Sequence, residues 1–265
     1  FPPGVVNVIT GYGQDCGQVL TSHPLVSRVA FTGGPDTARH VVRNTAENFA
    51  VTTLELGGKS PVIVFDDANL DSALNGVIAG IWGATGQSCV AGSRLLVHRS
   101  LHDSIVERLA RRAGEIRIGP PLDPATEMGP LATLRQRQTA QRLIAESVGA
   151  GAALMAGGGV PKAFPKGFYF EPTILLAPRA DIACVQHEFF GPVLSVLAFD
   201  TEEEAVALAN STVYGFAAGV FTQNLARAHR MTRKVRAGVV WVNTYRAVSP
   251  VAPFGGNGLT GHGRE

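Results

Sequence analysis

Apolar and polar residues follow one another in blocks, and the blocks set the elements. Val5-Val6-Asn7-Val8-Ile9 is a short apolar run closed by Thr10-Gly11-Tyr12-Gly13, which predicts a strand and a turn. After a polar helical stretch, residues 27–31 predict a second strand ending in Thr32-Gly33-Gly34. Pro35 then opens a helix expected to reach about Phe49, because proline at the first helical position gives up an N–H that has no partner there. Residues 61–65 and 94–98 read as strands, with a helical stretch over 73–82 between them. Ser100-Leu101-His102-Asp103 resembles a capping box, and behind it Leu101, Ile105, Leu109 and Ala113 repeat at helical spacing. Residues 133–148 predict an amphipathic helix and 192–199 a long buried strand. Thr201-Glu202-Glu203-Glu204 starts a helix with acids that suit its dipole. Residues 217–222 and 237–243 predict two more strands around a basic helix.

Strand, helix, strand in this order predicts an α/β fold with mainly parallel sheets. The 265 residues suffice for one large domain or two moderate ones. With 45% apolar and 17% charged residues, the chain is not a disordered one. Lys plus Arg number 23 against 21 Asp plus Glu, so there is no basic footprint and nucleic acid is not expected as a partner. The three cysteines, Cys16, Cys89 and Cys184, form no CxxC pair, which argues against a disulfide framework, a zinc site and any metal requirement. No apolar run approaches a membrane span, and no signal peptide is visible, so a cytoplasmic protein is expected. The chain begins at Phe1 without Met and stops at Gly263-Arg264-Glu265 without a helix stop; it is expected to be a piece of a longer protein.

Four stretches carry candidate chemistry. In Gly86-Gln87-Ser88-Cys89-Val90-Ala91-Gly92-Ser93, small neighbours would let a substrate carbon approach the Cys89 sulfur, whereas a buried cysteine acting as a small hydrophobe is the plain alternative. In Leu54-Glu55-Leu56-Gly57-Gly58-Lys59, a carboxylate among apolar residues must be paired (Lys59 is at hand), open to a cavity, or raised in pKa. Glu188-Phe189-Phe190-Gly191-Pro192 leads into a strand, and its plain reading is a turn with both phenylalanines in the core. Phe31-Thr32-Gly33-Gly34 is a strand-to-helix junction, where free backbone N–H groups can meet an anion such as a pyrophosphate. Gly11 and Gly13 form only part of a dinucleotide fingerprint.

With Pro253-Phe254-Gly255-Gly256 added, these motifs, in this order and at this spacing, resemble the aldehyde dehydrogenase superfamily over nearly the whole chain. The resemblance implies a partial, parallel-sheet Rossmann-like cofactor domain over residues 1–55 and an α/β catalytic thiol domain over 56–248. A return segment over 249–265 would head toward the substrate entrance and stop short of the oligomerisation strand. It implies oxidation of an aldehyde to a carboxylic acid with NAD or NADP, through a thiohemiacetal and a thioester on Cys89. Glu55 would be the general base for the hydrolytic water, and the Cys89 N–H would supply half of an oxyanion hole. Glu188 would hold the nicotinamide ribose with Phe190 nearby. Thr32 and Gly33 would line the nicotinamide and pyrophosphate, and Gly13 would approach the adenine. Leu56 and Gly57 complete the implied cofactor contacts together with Gly34, where the family often has Ser and this chain offers only backbone. The family also often has Asn at the position of Ala84.

The implied partners are a small-molecule aldehyde and, for the complete protein, further copies of itself. Trp82, Phe189, Tyr245 and Phe254 are candidates for an apolar entrance, and Cys89 is expected to be the thiol most readily alkylated. Three other readings stay open: a non-catalytic binding or structural protein on the same fold, a coenzyme A-acylating enzyme, and a thiol hydrolase pairing Cys89 with one of the seven histidines, none of which sits in a marking motif.

Overall fold

The computed structural model describes residues 1–265. Two sheets carry the fold. The smaller contains β1 (Arg28–Thr32), β2 (Val51–Glu55) and β12 (Gly261–His262) in the order β1-β2-β12. β1 and β2 are parallel and joined by α2 (Pro35–Thr45), whereas β12 is antiparallel to β2. Ala38 and Val41 of α2 bury against Leu54 and Leu56, giving this unit its own small core.

The larger sheet has seven strands in the order β10-β9-β3-β4-β7-β6-β5. They are β3 (Pro61–Val64), β4 (Arg94–His98), β5 (Ala153–Ala156), β6 (Thr173–Leu176), β7 (Val193–Phe199), β9 (Ala217–Phe221) and β10 (Val239–Val242). All pairings are parallel except the edge pair β5–β6. Helices cover both faces, so the central strands are apolar on both sides and read as unbroken runs rather than alternations. Val62 and Val64 fall in the core beneath α3 (Leu70–Ile81) and α4 (His102–Glu115). Ile63 falls in the opposite core, with α5 (Leu134–Gly149), α6 (Ala183–Gln186), α7 (Glu202–Ala209) and α8 (Leu225–Lys234). This is the two-residue period of a strand seen in one tripeptide. A short ribbon of β8 (Tyr214–Gly215) and β11 (Asn257–Gly258) completes the strands.

Helix starts follow local chemistry. The side chains of Asn69, Thr133, Thr201 and Asn224 each accept a backbone N–H as N-caps of α3, α5, α7 and α8, a device that contributes about 1 kcal/mol each. Ser100 does not cap α4 as expected. His98 Nδ1 engages both its hydroxyl and its N–H, a short 3-10 turn intervenes, and α4 begins at His102.

Two further expectations differ. Residues 5–9 form no strand and lie exposed, because no neighbour offers them a ladder of hydrogen bonds. α2 ends at Thr45 rather than near Phe49. Asn44 and Asn48 turn their amides onto Thr21 and His23, binding the chain after α2 to α1 (Gln18–Ser22), and Phe49 takes a left-handed φ of 56°. The antiparallel pair β5–β6 was not foreseen; its outer strand, β5, is a mostly exposed Ala-Leu-Met-Ala run without a β-branched residue.

Candidate active site

Glu55 is the last residue of β2, and Gly57-Gly58 lead from it into β3. Cys89 lies in the loop before β4, and Glu188 in the loop before β7. The site therefore sits where the carboxyl end of the small sheet meets the amino ends of three adjacent strands of the large one. Three glycines let the loops close on one another. A Cβ on Gly58 would stand 2.7 Å from the Cys89 carbonyl oxygen, and one on Gly57 would fall 1.9 Å from Glu188 Oε2. Gly86, at a left-handed φ of 69°, would meet the Gly191 carbonyl oxygen at 2.2 Å. Only residues without side chains allow these approaches.

The turn before Cys89 is itself unusual. Ala84 and Thr85 hold left-handed φ values of 52° and 56°, a region that asparagine tolerates better than alanine. Gln87 accepts the Ala132 N–H, Thr85 donates to the Gly129 carbonyl, and Gln136 donates to the Phe189 carbonyl. Residues 129–136 thus brace the Cys89 loop and the Glu188 loop together. Tyr245 donates to the Val90 carbonyl at 2.8 Å. Its ring faces Gly80, Gly92 and Gly219, where added Cβ atoms would stand 3.0, 3.2 and 2.6 Å from it.

Cys89 is half-buried, and burial pushes its thiol up. The N–H groups of Val90 and Cys89 face the sulfur and counter this, while the Glu188 and Glu55 charges raise it further. Cys89 therefore rests as a neutral thiol. Alkylation at Cys89 then draws on its ionised fraction, since the thiolate is the reactive form. Cys184 is fully buried, and Cys16 donates to the Tyr12 carbonyl.

Glu55 is buried with neither carboxylate oxygen hydrogen-bonded, and burial raises its pKa, offset by Arg264 and reinforced by Glu265. Of the states open to it from sequence, it takes the raised one; Lys59 makes no ion pair with it and instead donates to the Ser93 carbonyl. The Glu55 backbone is clamped on both sides. Its carbonyl accepts the Gly33 N–H, and Gly261 of β12 pairs with it. Glu188 is also raised by burial, offset by the Gly58 N–H that it accepts at 2.9 Å and by Lys59.

The return segment lies on this carboxylate. A Cβ at Gly255 would come 2.7 Å from Glu55 Oε1. The fully buried Thr260 donates to the Gly57 carbonyl, accepts the Gly215 N–H, and gives its own carbonyl to the Leu56 N–H. Sequence reasoning missed Thr260, because nothing in its neighbourhood marks a threonine as the clasp.

The other expected cofactor residues form a second group around β1 and α2. Thr32 ends β1, opposite Glu55 in the ladder. Gly34 is the N-cap of α2, without a side-chain cap. The Gly33 N–H is taken by Glu55, so the N–H groups left for an anion are those of Gly34 and the first helical turn. Gly13 lies in a cleft of about 940 Å³ with Tyr12, Gln18, Thr37, His40 and Asn44. Thr37, His40 and Asn44 were not foreseen, although their spacing of three and four puts them on one face of α2. An added Cβ at Gly13, Gly17 or Gly34 meets nothing within 4 Å, so open space, not packing, adjoins these glycines.

Leu56 points its side chain into the small core and spends its N–H on Thr260, which leaves it only its carbonyl for a ligand. Phe190 is exposed at a left-handed φ of 47°. The apolar entrance expected from Trp82, Phe189 and Tyr245 is absent: all three are core residues, and Phe254 packs on Phe216 at 5.2 Å.

The family model described as "Aldehyde dehydrogenase family" matches residues 1–265. The chain is 59% identical over 266 residues to the (Z)-2-((N-methylformamido)methylene)-5-hydroxybutyrolactone dehydrogenase of Acinetobacter baylyi, covering 100% of this chain and 54% of that protein. Among solved structures, a putative aldehyde dehydrogenase from Burkholderia cenocepacia superposes with a TM-score of 0.98 at 45% identity, covering 100% of this chain and 55% of that one. PnpE in complex with nicotinamide adenine dinucleotide gives 0.96 at 47% identity, covering 100% and 54%. The chain thus spans about half the length of the relatives it matches.

Proposed function

The chain belongs to the aldehyde dehydrogenase family, and from that premise we propose that it is the thiol-bearing part of an enzyme oxidising an aldehyde to a carboxylic acid with NAD. The observation that carries the reading is the closure of three loops on one point. Gly58 meets Cys89, Gly57 meets Glu188, and the unpartnered Glu55 carboxylate lies close enough to raise the thiol.

The residues present fit a dinucleotide. Gly13, Gly17 and Gly34 border open space, the first turn of α2 offers free N–H groups, and the cleft beside Gly13 has room for a planar base. The complex of PnpE with nicotinamide adenine dinucleotide supports the same cofactor. Gly13, Thr37, His40 and Asn44 would hold its adenine side, the α2 N-terminus its phosphates, and Glu188 the nicotinamide ribose. When bound, it supplies the hydride acceptor.

The chain's own residues divide the remaining work. The Cys89 sulfur forms a bond to the aldehyde carbon, the carbonyl oxygen takes the negative charge, and the thiol proton leaves to Glu55 or solvent. The Cys89 N–H would supply half of the hole that holds that oxygen. In the second half, Glu55 takes a proton from water as its oxygen adds to the thioester carbon, and the Cys89 thiolate leaves. A carboxyl group with a raised pKa and no hydrogen-bond partner suits a base, because it takes up a proton more readily than an ordinary carboxylate. It also favours water over coenzyme A as the acceptor.

The two-sheet layout supports assigning residues 1–55 to the cofactor side and 56–248 to the thiol side, with 249–265 reaching back onto Glu55. A small-molecule aldehyde partner, a cytoplasmic setting and self-association carry over from the family resemblance. The test is reduced-cofactor absorbance on adding NAD and an aldehyde panel to the complete protein, meaning these residues with whatever native sequence flanks them. No signal from the wild type, or an unchanged signal from Cys89→Ala, would remove the reading.

A further inference from the structure

Lys59 is a fully buried charge-bearing side chain whose presence the mechanism leaves unexplained. Its neighbour Arg94 is equally buried, but donates to the Lys59, Leu208 and Ala209 carbonyls at 2.7, 2.8 and 2.7 Å. Lys59 has far less: Nζ makes no ion pair, and its single hydrogen bond is a long one of 3.4 Å to the Ser93 carbonyl. An ammonium so poorly compensated is costly to bury, and an apolar side chain of the same length would fill the space more cheaply. Its other neighbour is the Phe189 ring, whose centroid lies 5.0 Å from Nζ. The residue before it, Gly58, gives its N–H to Glu188. Lys59 therefore touches the loop after β2, the strand entry after Cys89, and the turn that carries Glu188.

We propose that Lys59 is a positioning residue for the dinucleotide: its ammonium holds the Glu188-Phe189 turn against Gly58, so that Glu188 presents an ionised carboxylate to the ribose. The proposal rests on the dehydrogenase reading above and goes beyond it. Two physical effects carry it. A cation over a ring face is attracted to it, and a neutral amine is not. A positive charge near a buried carboxyl favours its ionised form, and Lys59 is among the influences that bring Glu188 down.

The charge on Lys59 is conditional. Burial lowers its pKa to about 7; the facing groups are the Cys184 thiol from α6, which raises it, the Arg94 guanidinium from β4, which lowers it, and the Glu188 carboxylate, which raises it. As pH rises through neutrality Lys59 loses its proton, the hold on the turn weakens, and dinucleotide affinity falls. On the acid side, affinity falls for a different reason, because Glu188 itself takes up a proton.

The experiment is calorimetric titration of NAD+ into the complete protein over about pH 5 to 9, for wild type, Lys59→Met, Glu188→Gln and the double variant. Wild type should lose affinity on the alkaline side by at least about fivefold. Lys59→Met should lack that alkaline limb and bind at the weak level throughout. Adding Lys59→Met to Glu188→Gln should weaken binding no further. A packing role alone would lower the melting temperature and leave the alkaline limb in place, and that result overturns the proposal. Should Lys59→Met fail to fold, Glu188→Gln decides: loss of the limb supports the proposal and its persistence overturns it. A wild type that binds without any alkaline limb overturns the inference alone; a wild type that binds no NAD+ at any pH overturns the dehydrogenase reading and the inference with it.

Discussion

Gly58 lies so close to Cys89 that a Cβ on it would stand 2.7 Å from the Cys89 carbonyl oxygen. Its neighbour Gly57 makes a closer approach, 1.9 Å, but to the carboxylate end of Glu188. The two contacts differ in what can give way. Backbone cannot move without shifting the cysteine, whereas a side-chain end can swing aside.

Gly58→Ala is therefore expected to lower stability by about 1–3 kcal/mol, as overpacking does. It should also reduce aldehyde oxidation by roughly 10²-fold, the cost of a displacement on the order of 1 Å in a reacting group. Gly57→Ala should melt close to wild type and lose NAD affinity instead, because Glu188 is driven off the Gly58 N–H. Melting curves and cofactor titrations on both variants check this; equal stability losses would show that the Glu188 side chain is as fixed as backbone.

Thr260→Val keeps shape and removes the hydroxyl that joins Gly57 to Gly215. It leaves a buried carbonyl and a buried N–H unpaired, which costs about 1–3 kcal/mol each. A fall in denaturation midpoint without change in slope is the expected result. Because the clasp lies beneath the Gly57-Gly58 loop, turnover should drop as well.

The strands of the large sheet were legible because burial on both faces leaves a run such as Val62-Ile63-Val64 no polar position. The edge strand β5 was not, since Ala153-Leu154-Met155-Ala156 is an apolar run of helix-favouring residues with no β-branched one. The stretch Val5–Ile9 has strand composition but no partner, and composition cannot supply a ladder. The site was legible as separate motifs: Glu55, Cys89 and Glu188 stand out by their glycine and small-residue neighbours. Which glycine serves which contact was not, because Gly57, Gly58 and Gly86 act across 131, 31 and 105 residues of chain. Likewise, Ser100 reads as a cap until His98, two residues earlier, competes for it.

Alkylation of Cys89 reports its charge environment. Its thiol is pushed up by burial, with Glu188 and Glu55 adding to the effect. The iodoacetamide rate at Cys89 should thus climb with pH without levelling off below the normal thiol range, while Cys184 stays unmodified in the native protein. Glu55→Gln removes a negative charge, lowers the thiol pKa, and should speed alkylation at neutral pH. A slower reaction in that variant would instead make Glu55 the base that takes the thiol proton at rest. Peptide mass spectrometry resolves the three cysteines.

Stability should carry the mark of the two raised carboxyl groups. Both Glu55 and Glu188 have folded-state pKa values above the ordinary 4.5. In this situation the folded protein binds more protons than the unfolded chain through the interval between the two values. Their contribution is complete below the unfolded pKa and is lost as pH rises through the folded one. Melting temperature is therefore expected to decline as pH rises from about 4.5 toward neutrality, against the usual trend for salt-bridged carboxylates such as Glu202, held low by Arg230. Glu55→Gln has no proton to lose, and its unpartnered amide replaces a buried charge. It should flatten the decline and gain most over wild type at the upper end of that interval, once Glu55 has lost its proton. Calorimetric melts of wild type and Glu55→Gln across that interval provide the check; parallel curves would mean that Glu55 is ionised at no cost, through a partner or solvent path outside the geometry described.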